Sequence, residues 1–237
     1  MASRNSSFHE RGIPGAMLGP LKFLFVLMLV MLGINLLAWI VDWVFVFKVW
    51  PEGVERLKNI LAADLARAVD LADGMGGWSG MVTGTANALY ALLFKATGVH
   101  DMGVRFSTGE ALSIPDTVVR NAYVANRQAI EVAMIGTQLV GVRFASLCLM
   151  LPLIGLGYLV ALADGLCQRA IRRVCGGRES ASLYHRAKYL QEVVVAMGLL
   201  NVLVIPVAID VRGIGILGAV GLGALTRLQW GYYKKHL

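Results

Sequence analysis

The hydrophobic residues of this chain are gathered into long uninterrupted runs instead of alternating with polar ones. The longest run without a charged residue extends from Phe144 to Ala163 and has 20 residues. About 20 apolar residues, at a rise of 1.5 Å each, cover the roughly 30 Å hydrocarbon core of a bilayer. The pattern therefore predicts a membrane span here. Because no strand alternation is sustained anywhere, we predict an all-α fold.

Three further apolar runs have the length or the context of a membrane span. Phe23–Val41 has 19 uncharged residues and continues past Asp42 into more apolar sequence. Val193–Ile209 has 17 and Gly213–Thr226 has 14, and only residues 210–212 separate them. The last two runs are typical of a transmembrane hairpin. We therefore predict an integral membrane protein with about four transmembrane helices.

The distribution of basic residues predicts the orientation of these spans. The segment RAIRRVCGGRESASLYHRAK, residues 169–188, follows the longest run and carries six Lys or Arg against one acid. Short basic loops stay in the cytoplasm, and Arg4, Arg11 and Lys22 before the first run favour the same side for the N-terminus. Four spans then place the C-terminus in the cytoplasm too. A cleaved signal peptide is the competing interpretation, but the first run is too long for one, so we expect a retained anchor.

The region between the first two spans is long and balanced in charge. Residues 48–130 carry eight Lys or Arg and eight Asp or Glu, and loops of this length cross the membrane largely regardless of charge. Helical spacing of apolar residues predicts an amphipathic helix in its first part. The residues on that spacing are Val54, Leu57, Leu61, Leu65 and Ala68. The apolar run Met81–Phe94 has only 14 residues, so whether it lies on the membrane or enters it stays open.

These patterns divide the chain into six segments. The segments are a cytoplasmic N-terminus (1–22), the first transmembrane helix (23–47), a helical periplasmic domain (48–130), a long helix containing the second transmembrane helix (131–174), a short basic cytoplasmic loop (175–190), and a transmembrane hairpin of helices 3 and 4 with a cytoplasmic tail (191–237).

The composition is typical of a membrane protein, and the sequence offers few residues for a metal or cofactor site. The chain is 57% hydrophobic and 16% charged, with a mean hydropathy of +0.65, which is too apolar for most soluble domains of 237 residues. We expect neither a metal nor a cofactor, because Cys and His residues show no ligand spacing. These residues are Cys148, Cys167, Cys175, His9, His100, His185 and His236. The glycines 213, 215 and 218 match G-x-G-x-x-G, but neither a preceding strand nor a following acid supports a dinucleotide site.

Two features of the spans predict helix contacts. Gly215, Ala219 and Gly223 recur at every fourth residue, a stripe of small side chains that lets another helix approach closely. That partner is either the third span or another chain, which leaves a homo-oligomer open. Asp42 and Arg143 lie near the outer ends of their spans, and ionisable residues in spans are costly, so we predict an ion pair between them.

The basic segment is the strongest local feature, and three interpretations compete for it. Topogenesis with attraction to lipid headgroups comes first. A docking surface for an acidic protein comes second. Nucleic-acid contact comes third and is unlikely, since stacking aromatic residues are few. The candidate docking residues are Arg172, Arg173, Arg178, Glu179, Tyr184, His185 and Lys188.

The sequence CGGRESASLYHRAK, residues 175–188, resembles a known loop. It is similar to the GGRES…YHRAK loop of membrane proteins encoded in bacterial integrating conjugative elements, a family otherwise described as a domain of unknown function. The resemblance extends from the first span to the fourth. It implies an inner-membrane protein without a known reaction, accessory to conjugative DNA transfer through a type IV secretion apparatus or its coupling ATPase. Conjugation proteins are then the expected partners, beside the lipid bilayer.

A membrane-bound protein that modifies the envelope, or that excludes a second element, is the alternative. Such a protein would act through converging polar groups of the periplasmic domain. The candidates His100, Asp101, Glu110 and Asp116 show no recognised catalytic spacing. We therefore expect that the chain is not an enzyme.

Overall fold

The computed structural model describes residues 13–108, 114–175 and 181–232, and within these ranges it contains helices and no β-strand. This confirms the all-α prediction. The helices are α1 (Ile13–Val44, continued by a π-helical turn Phe45–Val49), α2 (Val54–Gly74), α3 (Ser79–Tyr90, continued by a π-helical turn Ala91–Lys95), α4 (Val99–Thr108), α5 (Ile114–Ala125), α6 (Arg127–Val174), α7 (Ala181–Val204) and α8 (Val211–Gly231).

Among the described residues, four helices are long and apolar enough to cross a membrane. They are Phe25–Val49, Arg127–Val174, Ser182–Val204 and Val211–Gly231. The prediction of about four helices able to span a membrane is confirmed.

The corner between α7 and α8 lies earlier in the chain than the charge pattern predicts. Residues 210–212 were expected to connect the two spans, but the non-helical segment is 205–210 and Val211 already belongs to α8. Pro206 explains the early end of α7, because a proline disfavours helical backbone at the residue before it and has no N–H to donate. Asp210 then caps α8, since its side chain accepts a hydrogen bond from the Arg212 backbone N–H at 3.0 Å.

The helix α6 is the central element, and its 48 residues extend about 72 Å at 1.5 Å per residue. The helix α8 runs beside the second half of α6 in the same direction. Its small-residue stripe lies against α6, and not against α7 or a second chain, which were the two expected partners. Gly215 faces Met150, Ala219 faces Gly157, and Gly223 faces Ala161. The close approach is possible because both helices have small residues at the contact.

The helices α2 and α3 pack against the first half of α6. Their common core contains Ala68, Leu71, Ala72, Val82, Ala86, Val142, Ala145 and Leu149. The hydrogen bond from Lys58 to Glu131 at 2.8 Å also joins α2 to α6 and raises the pKa of Lys58. We call this end of the molecule the domain end, and the opposite end, where α6 ends and α7 begins, the basic end.

The buried face of α2 is rotated from the predicted one. Leu57 and Ala68 are buried as expected, but Leu61 and Leu65 are only partly buried. Ile60 and Asp64 take their place on the line that faces α6. The spacing of apolar residues predicted the wrong buried face, because a charged residue, Asp64, occupies the centre of the face that is buried.

The apolar run Met81–Phe94 forms α3 and its π-helical turn. Val82 and Ala86 are buried against α6, and the Phe94 ring lies 5.9 Å from the Trp39 ring of α1. Gly141 of α6 allows α3 to approach α6 closely, because a Cβ atom at Gly141 would lie 2.7 Å from the Ala86 Cα. α3 is thus a packed helix beside the spans.

We predict that Gly141→Leu destabilises the fold by about 1–3 kcal/mol, the usual cost of overpacking a close contact. The added side chain meets the backbone of α3, which cannot move aside as a flexible side chain can. The measurement is the thermal unfolding of the purified chain in detergent.

Gly155→Leu is the matched control for Gly141→Leu, because both glycines belong to α6 and no heavy atom lies within 4 Å of a Cβ at Gly155. Equal melting temperatures for the two variants would contradict the predicted α3 contact.

Candidate functional site

The Arg143 side chain is completely buried, and it donates hydrogen bonds to one carboxylate and three backbone carbonyls. It donates from Nε to Asp64 Oδ2 at 2.8 Å, from Nη1 to the carbonyls of Val202 at 3.0 Å and Ile205 at 2.6 Å, and from Nη2 to the carbonyl of Val207 at 2.6 Å. The two carbonyls of residues 205 and 207 lie in the non-helical corner, where no helix hydrogen bond is available to them. The guanidinium therefore replaces the hydrogen bonds that the backbone loses where α7 ends.

Asp64 extends the same network to the other side of the corner. Its Oδ1 accepts a hydrogen bond from the Ile209 backbone N–H at 3.0 Å and lies 3.6 Å from a terminal nitrogen of Arg67. Asp64 is deeply buried like Arg143, with only 4% of its surface exposed. Together the two side chains bind the α7–α8 corner from both sides. We call this arrangement the Arg143 clamp.

The Arg143 clamp joins three parts of the chain that are distant in sequence: α2, α6 and the α7–α8 corner. An isolated charge in an apolar interior costs several kcal/mol, so a buried ion pair persists only when its remaining donors and acceptors are satisfied. The five donor hydrogens of a guanidinium suit one carboxylate and three carbonyls better than an ammonium would. The clamp is therefore a positioning device that fixes α2–α3 relative to the spans.

The predicted ion pair between Asp42 and Arg143 is wrong, because Arg143 pairs with Asp64. Sequence reasoning missed Asp64, although one signal was present: an acid in phase with the apolar residues Leu57, Ala68 and Leu71 on one face of α2. A charged residue in the middle of an apolar helix face indicates a buried partner.

Asp42 belongs instead to a second polar cluster, between α1 and α6. Trp39 donates from Nε1 to Thr137 Oγ1 at 2.9 Å, and the Thr137 hydroxyl lies 3.1 Å from Asn35 Oδ1. Asp42 is 1% exposed, its Oδ2 packs against Gly136, and its Oδ1 has no hydrogen-bond partner within the described residues. The carboxylate is thus held in an interface that does not fully satisfy it.

A second charged layer lies near the basic end. Arg227 of α8 forms an ion pair with Asp164 of α6. The neighbouring Gly165 lets α8 approach closely, because a Cβ atom at Gly165 would lie 2.9 Å from the Arg227 carbonyl oxygen. From Arg143 to Asp164 the chain advances 21 residues, about 31 Å along α6. This separation matches the hydrocarbon thickness of a typical bilayer, which is roughly 30 Å. The apolar part of the bundle therefore lies between two ion pairs.

At the basic end, Arg172 contacts the end of α8. Its Nη1 donates to the Gly231 carbonyl at 3.2 Å, and its guanidinium lies 3.8 Å from the centre of the Tyr232 ring. These contacts satisfy a carbonyl at a helix C-terminus and add a cation–π interaction. Arg172 was predicted as a docking residue, and the structure gives it a role in joining α6 to α8.

The other predicted docking residues are distributed around the same end. Arg173 is exposed at the end of α6. The Tyr184 and His185 rings meet edge to face at 5.2 Å between centroids, and Lys188 Nζ lies 3.8 Å from Glu192 Oε1. Arg178 and Glu179 lie outside the described residues.

The candidate groups of the alternative, envelope-modifying function do not form a common site among the described residues. The Tyr90 hydroxyl lies 2.7 Å from His100 Nδ1, and burial raises the pKa of Tyr90, which favours the protonated phenol. Asp101 is exposed on α4, whereas Glu110 and the side chain of Asp116 lie outside the described residues. No group of three or more His, Cys, Asp or Glu in the described ranges could hold a metal ion. The cysteines there are free thiols.

Comparison with known proteins gives one family. The family model described as "IncC plasmid conjugative DNA transfer protein DtrJ-like" matches residues 52–234, more than three quarters of the chain. Neither curated proteins nor solved structures match the chain. The conjugative context that the loop resemblance implied is confirmed at this level. Its finer assignment to an integrating element stays a prediction.

We predict that Arg143→Met destabilises the protein by about 3–5 kcal/mol, the usual cost of breaking a buried ion pair by removing one partner. The substitution leaves the buried Asp64 carboxylate without its closest ion-pair partner. It also removes a donor from the carbonyls of residues 202, 205 and 207, of which only the Ile205 carbonyl keeps a backbone donor, the Val207 N–H. Arg143→Lys should recover only part of the loss, since one ammonium cannot reach all four acceptors. Unfolding by denaturant in detergent micelles measures the effect.

Arg212→Met is the matched control for the clamp, because it removes an ion pair with Asp70 in which both side chains are substantially exposed. Its cost should stay within about 1 kcal/mol. A cost for Arg143→Met no larger than that of the control would show that the clamp does not stabilise the corner.

We predict that Asp42→Asn raises the melting temperature. Burying a carboxylate with an unpartnered oxygen costs more free energy than burying a neutral amide, by about 1 kcal/mol or more. Asp164→Asn serves as the comparison, because it weakens an ion pair and should lower the melting temperature. A lower melting temperature for Asp42→Asn would mean that the carboxylate has a stabilising partner beyond the described residues.

Proposed function

The chain belongs to the DtrJ-like family of conjugative DNA transfer proteins, and we propose that it serves transfer as a non-enzymatic, multi-span membrane subunit whose basic end docks a component of the transfer machinery. The observation that carries this proposal is the family match across α2 to α8. The four apolar helices supply the membrane anchor.

The orientation is part of the proposal. The helices α6 and α8 run from the domain end to the basic end. The helix α1 runs the opposite way, since Asp42 lies beside Gly136 while Met31 packs near Phe144. The excess of Lys and Arg in residues 169–188 favours the cytoplasm for the basic end and for both termini. The domain end then faces the periplasm, and the membrane is the bacterial inner membrane.

The docking surface is proposed to consist of Arg173, Arg178, Glu179 and residues 184–188 in the first part of α7. Arg172 stabilises this end of the molecule by joining α6 to α8. A cluster of positive charges attracts a partner with an acidic surface and increases its association rate. The conjugation proteins that act at the cytoplasmic face, the coupling ATPase or the base of a type IV secretion apparatus, are the proposed partners. Direct binding of nucleic acid is not part of the proposal.

The test uses donor cells that lack this gene and carry a copy in trans. The double charge reversal Arg173→Glu with Arg178→Glu should lower transfer frequency roughly tenfold or more, because like-charge contacts replace attractive ones at the docking surface. Recovery of conjugation proteins with the affinity-tagged chain should fall in parallel, while its amount in the membrane fraction stays constant.

Lys95→Glu provides a control for charge reversal as such, since this exposed lysine undergoes one such reversal at the domain end. It should leave both transfer and partner recovery at the level of the intact chain. If the double reversal also leaves both unchanged, the basic end is not a docking surface. A donor without the gene that transfers normally would remove the chain from the transfer machinery altogether.

A further inference from the structure

A groove opens between α6, α7 and α8 near the basic end, with a volume of about 490 Å³. It is separate from the Arg143 clamp and shares Lys188 with the proposed docking surface. The volume lies within the range of small-ligand sites, about 300–1,000 Å³.

The groove lies along the middle of α7, which is less buried than the two ends of that helix. Val202, Leu203 and Val204 are buried at the domain end, next to the Arg143 clamp, and Ala187 is buried at the basic end. Between residues 188 and 201 no residue of α7 is buried. The middle of α7 therefore leaves one side open toward α6, where α8 does not fill the gap.

The lining of the groove changes from polar to apolar along its length. Polar side chains stand at the basic end: Lys188, Gln191 and Glu192 from α7 and Gln229 from α8. Farther along, the lining consists of Val195, Ala196 and Leu199, with Tyr158 of α6 opposite. From Lys188 to Leu199 α7 advances 11 residues, about 16 Å. One leaflet of hydrocarbon is about 15 Å thick, half of the roughly 30 Å core.

We propose that this groove binds one anionic glycerophospholipid, with its phosphate at Lys188 and an acyl chain along Val195, Ala196 and Leu199. The assignment to the cytoplasmic leaflet rests on the proposed orientation. A groove with a charged mouth at the membrane surface and an apolar interior of one leaflet's depth matches the two chemical parts of such a lipid.

The charges of Lys188 and Glu192 balance within the lining, so the preference for an anionic headgroup comes from the basic residues around the groove. Lys188 Nζ lies 3.8 Å from Glu192, which is longer than a hydrogen bond and leaves the ammonium able to donate to a phosphate. The basic segment around it, residues 169–188, attracts anionic lipids to this end. Gln191 Oε1 is buried without a hydrogen-bond partner in the described residues, and a hydroxyl of a glycerol headgroup would satisfy it.

The size of the groove favours a single acyl chain of a lipid over a transmembrane helix of another protein. A helix with side chains is at least about 10 Å wide, so a length of about 16 Å occupies roughly 1,200 Å³. The groove holds less than half of that volume, whereas an extended acyl chain is narrow. A protein helix could therefore rest only on the rim of this groove.

The experiment measures the lipid that stays bound when the full-length chain is extracted and analysed by native mass spectrometry. The chain is reconstituted in vesicles of equal parts phosphatidylglycerol and phosphatidylethanolamine before extraction. We expect the intact chain to retain phosphatidylglycerol preferentially. Lys188→Ala should lose about fivefold of that preference, and Lys188→Arg should keep it.

A second pair of variants tests the apolar part. Ala196→Trp fills the groove and should abolish lipid retention. Val193→Trp adds the same side chain to an exposed site of α7 outside the groove lining and should retain the lipid. Melting temperatures of both variants verify folding.

Equal retention by Ala196→Trp and Val193→Trp would overturn the proposal. A change of oligomeric state in Ala196→Trp without any change in bound lipid would identify a second chain as the occupant and overturn it as well. Because retention is measured on isolated protein, a lipid site can be found or excluded whatever the charge reversal does to transfer in donor cells.

Discussion

The rest of this structure depends on the need to satisfy one guanidinium in an apolar interior. Arg143 has five hydrogen-bond donors and no access to water, so a carboxylate and several free carbonyls must meet it at one point. Asp64 supplies the carboxylate from α2, and the corner around Pro206 supplies carbonyls that no helix uses. The position of α2, the end of α7 and the start of α8 follow from this one requirement.

Close helix contacts then determine what surrounds the clamp. The spans gain little from the hydrophobic effect in a lipid environment, so they associate where small residues allow backbones to approach. The helix α6 provides such residues along its whole length, with Gly141 toward α3 and Gly157 and Gly165 toward α8. By contrast, the fully buried residues of α7 lie near its two ends, and its middle is only partly buried. The most extensive contact of the fold is therefore the one between α6 and α8.

The basic end combines structural and interaction roles in neighbouring residues. Arg172 is engaged by the carbonyl of Gly231 and the ring of Tyr232, so its charge is directed at α8. Arg173 is exposed beside it, and Lys188 stands at the mouth of the lipid-facing groove. The basic residues that are clustered in the sequence thus have three different roles: helix packing, proposed protein docking and proposed lipid binding. Membership in a conjugative transfer family gives the docking part its biological setting.

The sequence by itself determined the features that depend on local composition. Runs of apolar residues predicted four spans and an all-α fold, because the length of a span and the absence of strand alternation are visible along the chain. The conjugative context came from the resemblance of residues 175–188 to a known family. Which residues meet was decided only in three dimensions. Asp64 and Arg143 are 79 residues apart. The position of Asp64 on the apolar face of α2 indicates a buried partner but does not identify Arg143 as that partner. The small-residue stripe of α8 predicted a close contact but not its partner α6, because packing of one helix face depends on the path of every other span.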